Sequence, residues 1–214
     1  MLAGSAGATD NIHPLGDMTE LWSSSNEKSW HAALDRYADV VANQGVARLA
    51  ELDAWYRDEL PALIATRTGS RRHVTHGELV RATEWKMARG VWRAPNLVLV
   101  RGNDAADVER VSAEALAAIP DPKKPIATLA TLAGVGPATA SAIVAAAAPA
   151  DYPFFDELVA AQIPALGKVT WTLGYYVRYA KALRERAEEL GGEWTPGMLE
   201  RALWANVGGK AGAS

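Results

Sequence analysis

The stretch LAGVGPATASAIV, residues 132–144, decides how the rest of the chain is read. Two glycines flank Val135, and Pro137 then opens an alanine-rich run. Residues 123–132 set Ile126, Leu129 and Leu132 at helical spacing, and residues 137–147 do the same for Ala140, Ile143 and Val144. Only Ala133, Gly134, Val135 and Gly136 are left between them, so the chain must reverse within a very short turn. Glycine supplies a positive φ and lets another backbone approach without a Cβ clash, while Val135 can turn inward as an apolar plug. Pro137 lacks the N–H that a first-turn position would leave unpaired in any case. Such a turn leaves the amides at the start of the second helix facing outward with the positive end of the helix dipole behind them, which suits a phosphodiester. The same residues also suit a tight helical turn with no chemical role.

Working outward, a chain of 214 residues is long enough for one substantial domain or two small lobes sharing a core. Its apolar half is dominated by alanine and leucine, not by the β-branched and aromatic runs that favour strands, so an all-α fold is expected. The absence of cysteine excludes disulfides, thiolate zinc sites, a cysteine nucleophile and a cysteine-held iron-sulfur cluster. Neither a signal-peptide pattern nor a run of about twenty apolar residues occurs, which gives the expectation of a cytoplasmic chain with no membrane partner.

Apolar spacing predicts helices over about 27–43 and 46–66, the second kinked or split by Pro61. Thr75 and Glu78 have the form of a capping box for a helix ending at Gly90, and a short helix follows Pro95. Asn103 and Asp104 are candidate caps for a helix reaching Ile119. Further helices are expected over about 168–190 and from Thr195 to near Gly208, with residues 1–25 as a flexible arm and 209–214 as a flexible tail around a helical domain at 26–208.

The net charge of −3 conceals an asymmetry. Between Arg67 and Arg101 lie eight basic residues (Arg67, Arg71, Arg72, Arg81, Lys86, Arg89, Arg93, Arg101) against Glu78 and Glu84, a local +6 that leaves −9 elsewhere. A local positive patch can bind a polyanion on an acidic body, although a solvated helix face has the same composition. Within it Arg81, Trp85 and Arg89 recur every four residues, with Lys86, Trp92 and Arg93 beside them. Arginine next to aromatic rings suits phosphate contact and base stacking; buried tryptophan anchors with arginines lying over them would give the same spacing. His73 and His76 lack the further ligands of a metal site, so no metal is expected. Trp171, Tyr175 and Tyr179 form a four-residue stripe that reads as core.

The set Leu132, Gly134, Val135, Gly136, Ala140 and Ile143 resembles the helix-hairpin-helix of DNA-binding and DNA-repair proteins, here at about 123–148. That resemblance implies non-sequence-specific binding of DNA phosphates by the backbone of Gly134, Val135, Gly136 and Ala138, with a monovalent cation held by hairpin carbonyls in many members. The continuation is similar to the helix-hairpin-helix (HhH-GPD) DNA glycosylase superfamily, in which a loop containing glycine and proline leads to an aspartate about twenty residues past the second hairpin glycine. Here Pro149 and Pro153 precede Asp156, 20 residues beyond Gly136.

The resemblance implies a two-lobed helical bundle and a base-excision-repair function. In it Asp156 stabilises the positive charge that develops on a deoxyribose and orients the attacking water. Asp156 equally has the form of a helix cap, and Asp151 and Glu157 are neighbouring alternatives. Two departures narrow the comparison. Ala138 stands where glycosylases that cleave the backbone through a Schiff base carry lysine, and the four-cysteine cluster of several branches is missing. A monofunctional DNA glycosylase is the first expectation. A catalytically inactive module binding DNA or protein is the second, and a purely structural helical module the third.

Overall fold

The computed structural model describes residues 20–67 and 72–209. Most of the expected arm, the tail beyond Gly209, and Arg71 of the basic segment lie outside the described residues. Among the described residues every regular element is helical and there is no strand. None of these helices is long and apolar enough to cross a membrane.

The first half of the chain follows its apolar spacing, with breaks that have local causes. Helices α1 (Glu20–Ser23), α2 (Glu27–Asp35) and α3 (Tyr37–Ala42) bury Leu21, Trp30, Ala33, Tyr37 and Val41, so part of the expected arm is packed. Helix α4 (Leu49–Ala54) runs into a π-helical turn at Trp55–Glu59 and then into α5 (Leu60–Thr66). The wide turn sits where Pro61 cannot donate to the preceding turn and its ring would crowd the carbonyl four residues back; Leu60 N–H instead reaches Trp55 O. The expected kink is thus a widened turn in a continuous helical run.

Helix α6 (His76–Arg89) opens with the complete capping box: Thr75 Oγ1 accepts from Glu78 N at 3.3 Å, and Glu78 Oε2 accepts from Thr75 N at 2.8 Å. Helices α7 (Ala94–Arg101) and α8 (Ala105–Ala117) follow, the latter capped by Asp104. Asn103, the other candidate cap, has a different task. Its side-chain oxygen accepts from Ala133 N at 2.9 Å and its amide donates to Ala133 O at 2.9 Å, clasping the turn between α9 (Lys124–Leu129) and α10 (Pro137–Ala147).

That turn is as tight as its glycines suggest. Gly134 has φ +74°, and a Cβ there would lie 2.7 Å from Asn96 O, 2.9 Å from Leu99 Cβ and 2.9 Å from Val100 N. Val135 is buried as the plug. Gly136 is extended at φ −95° and a Cβ on it would meet open space. Helix α10 is apolar apart from Thr139 and Ser141, and every residue from Ala138 to Ala146 is buried, which makes it the central helix of a single continuous core.

The chain then loops to α11 (Glu157–Ala160) and continues through a 3₁₀ turn at Pro164–Leu166 to α12 (Leu173–Leu190) and α13 (Pro196–Asn206). Thr172 and Thr195 cap these last two helices through their hydroxyls, and α12 begins later than its apolar spacing suggests because Thr172 sets its start. Helix α13 packs against α2, returning the end of the domain to its beginning.

Gly134→Ala should therefore destabilise the protein by about 2–5 kcal/mol, combining the cost of a positive φ with that of overpacking. Gly136→Ala, which meets neither penalty, should leave stability nearly unchanged. Urea unfolding of the two variants checks this contrast, and equal losses would contradict it.

Candidate functional site

Because α10 is buried along its length, its first turn is the part that can meet a ligand. The amides of Gly136, Ala138 and Thr139 have no acceptor among the described residues, and no side chain caps this end. A cavity of about 300 Å³ opens over them. Its floor and walls come from three places in the chain: the end of α6 and the loop after it, the start of α10, and the segment Phe154–Leu158 together with Trp171.

Asp156 lines that cavity. The loop carrying it is fixed by bonds that do not involve Asp156 itself. Ser141 Oγ on α10 accepts from Phe155 N at 2.9 Å, Tyr179 on α12 donates to Phe154 O at 2.7 Å, and Tyr176 donates to Pro153 O at 3.2 Å. Phe155 is enclosed by Tyr175, Tyr176 and Tyr179, with Trp171 tilted over it at 4.9 Å between ring centres. The stripe read as core is thus divided: Tyr175 and Tyr179 are buried, while Trp171 is 44% exposed and forms a cavity wall.

The Asp156 carboxylate has two separate engagements. Oδ1 accepts from Leu158 N at 2.8 Å, making Asp156 the N-cap of α11, and Oδ2 lies 3.7 Å from Arg89 Nε. That second distance is an ion contact, too long for a hydrogen bond. Cap and cavity wall are therefore one residue. Burial pushes the Asp156 carboxyl above the usual aspartate range; Arg89 opposes the rise and Glu200 adds to it. Of the neighbouring carboxyls, Glu157 also lines the cavity, whereas Asp151 is exposed outside it.

The four-residue pattern Arg81, Trp85, Arg89 is not a DNA-facing stripe. Trp85 is fully buried, stacked on Tyr56 at 3.5 Å, and donates to Asp53 Oδ1 at 2.8 Å. Arg89 is buried too, its guanidinium paired with Glu200 of α13 and surrounded by the rings of Tyr37, Trp85, Phe154 and Trp204. Arg81 turns towards Glu51 and lies over Trp55 at 4.5 Å. Trp85 and Arg89 are corrected from candidate DNA contacts to packing groups, Arg89 acting on Asp156 from behind, while Arg81 stays partly exposed beside Glu51.

Pairing also shrinks the basic segment. Arg67 is held by Glu78 at 2.8 Å and Arg101 by Glu84 at 2.7 Å, in addition to Arg81 with Glu51 and Arg89 with Glu200. Arg72 approaches Leu116 O. Lys86 and Arg93 have no carboxylate partner among the described residues, and both line the cavity. Trp92, 55% exposed, follows Val91 of the cavity wall. No group of His, Asp and Glu among the described residues is arranged to hold a metal ion, and His76 instead lies 3.1 Å from Arg101 O.

Compared with known proteins, the chain matches no family model, no curated protein and no solved structure.

The direction of the Asp156 shift has a consequence for stability. A carboxyl whose folded pKa exceeds its unfolded one holds its proton more tightly in the native state. Its stabilising contribution is complete below the unfolded value and is lost as pH rises through the folded value. Asp156→Asn removes that loss while keeping a residue suited to capping. The variant should gain stability relative to the parent as pH is raised through this window, measured by urea unfolding at a series of pH values. A relative loss over the same window would mean that the Arg89 contact outweighs burial.

Proposed function

We propose that the chain is a monofunctional DNA glycosylase of the helix-hairpin-helix type, a two-lobed helical bundle that hydrolyses the N-glycosidic bond of a damaged base. The observation that carries this reading is the meeting of Asp156, the open amides of Gly136, Ala138 and Thr139, and the exposed face of Trp171 around one cavity.

Each component has a part in the chemistry. The unpaired amides and the dipole of α10 attract a phosphate of the DNA backbone without reading sequence. Arg93 adds a charge at the same cavity. A base turned out of the stack needs a flat apolar surface, which the exposed ring of Trp171 provides. As the base departs, positive charge develops on the sugar. The Asp156 carboxylate stabilises that charge through space and takes a proton from the attacking water. Its upward-shifted pKa makes it a stronger base than an ordinary aspartate, while Arg89 limits the rise and preserves the ionised form.

The resemblance also implies a monovalent cation held by hairpin carbonyls. No step in this proposal uses a cation.

Duplexes carrying uracil, an alkylated purine or oxidised guanine, incubated with the protein and then treated with alkali, provide the test. Base release from at least one should fall by about 100-fold or more in Asp156→Asn, the scale of losing a positioned general base. Arg93→Ala should reduce the salt dependence of duplex binding by about one phosphate contact. Salt-sensitive binding with no release from any duplex would favour the inactive DNA-binding module.

A further inference from the structure

We propose that Glu200, buried on α13 and outside the cavity wall, is a positioning residue for Asp156: by holding the Arg89 guanidinium from behind, it keeps that cation from closing on the Asp156 carboxylate. The inference deepens the glycosylase reading and rests on it, since a free carboxylate is what that chemistry needs at Asp156.

The geometry is a chain of alternating charges drawn from separate segments. Asp53 of α4 accepts from Tyr37 at 2.7 Å and from Trp85 at 2.8 Å, and its Oδ1 lies 3.8 Å from Arg57 Nε in the π-helical turn. Arg57 Nη2 donates to Glu200 Oε2 at 3.4 Å, Arg89 Nη2 donates to Glu200 Oε1, and Arg89 Nε remains 3.7 Å from Asp156 Oδ2. That last gap is the informative one. Nε and Nη1 of Arg89 make no hydrogen bond among the described residues, although unpaired buried N–H groups are costly and a carboxylate stands next to one of them. The rings of Tyr37, Trp85, Phe154 and Trp204 surround the guanidinium. What draws it away from Asp156 is the closer bond to Glu200, itself 0% exposed and shared with Arg57.

A carboxylate that a cation approaches closely is stabilised in its charged form and becomes a weaker base. Burial raises the Asp156 carboxyl, Arg89 opposes the rise, and Glu200 restores part of it, by its own charge and by occupying Arg89. Arg57 acts in the opposite sense at one remove, because it shares the Glu200 charge. The phenols of Tyr37, Tyr56 and Tyr179 around this chain are pushed up by burial and stay neutral. Arg201 stands near Arg57 and Glu200, and Lys86, Arg93 and Glu157 stand on the cavity side; these four are the same in every variant below.

Carbon-13 nuclear magnetic resonance, with the Asp156 carboxyl carbon assigned through Asp156→Asn, follows the titration of that group in the parent, Glu200→Gln, Glu200→Asp and Arg57→Gln. Far-UV circular dichroism checks that each variant is folded. The midpoint should fall by about one pH unit or more in Glu200→Gln, where Arg89 is released onto Asp156, and by less in Glu200→Asp, whose retained charge is set back by a methylene. It should rise in Arg57→Gln, since Glu200 then draws on Arg89 alone. Loss of packing by itself gives no reason for opposite directions. Glu200→Asp keeps the buried charge balance, so the test is decided even where the other two variants do not fold. Any folded variant that titrates as the parent does, or against its stated direction, overturns the proposal. The acid limb of base release should follow each midpoint. The titration itself needs no substrate, which separates the two readings. Base release by the parent with an unmoved titration in the variants would sink this inference alone. Shifted titrations without base release from any duplex would sink the glycosylase reading alone.

Discussion

A helix buried on every side has only its ends to offer, and α10 is such a helix. Its alanines allow α5, α6 and α9 to pack around it, which consumes its lateral surface and leaves the first turn facing the cavity. Gly134 makes that arrangement possible: the backbone of α7 comes so close to the turn that no side chain fits. Asn103 then clasps the turn from α7's end. Pro137 begins the helix without an N–H to satisfy, and the amides on either side of it remain open. The accessible dipole end is thus a consequence of packing, set by small residues on one helix and one glycine before it.

A second constraint places a carboxylate opposite that end. Ser141 of α10 anchors the Phe155 backbone, and Tyr176 and Tyr179 of α12 hold the two preceding carbonyls. Three buried hydroxyls therefore determine where Asp156 emerges. Behind it lies Arg89, fully buried among four aromatic rings and paired with Glu200. A buried guanidinium is costly without a counter-charge, so Glu200 and Asp156 are tied to Arg89 by the same electrostatic need. The result is a carboxyl partly desolvated, shifted upward, yet held near a cation.

The hairpin was the most legible part of the sequence because glycine, proline and alanine act through local backbone geometry. The α10 boundaries, the Thr75–Glu78 capping box and the cap at Asp156 follow from short-range rules of the same kind. The role of the 81–93 segment was not legible. Its four-residue spacing resembles an exposed basic stripe, but the acids that pair with its arginines lie far away in the chain: Arg81 meets Glu51, 30 residues distant, and Arg89 meets Glu200, 111 residues distant. Only tertiary packing reveals that Lys86 and Arg93 line the cavity with no carboxylate paired to them among the described residues. Trp171 was hidden differently, since its spacing to Tyr175 and Tyr179 is that of a core stripe and only the late start of α12 at Leu173 leaves it outside the helix. Asn103 showed its polar, cap-like character but not the turn it clasps.

The central claim is that one occupied site brings a DNA phosphate to the α10 amides and its sugar to Asp156. Nuclear magnetic resonance of the protein titrated with a duplex containing a tetrahydrofuran abasic analogue tests it most directly. The amide resonances of Gly136, Ala138 and Thr139 and the Asp156 carboxyl carbon should shift together along one binding curve. Saturable duplex binding that leaves these four unmoved while resonances on another face respond would contradict the account.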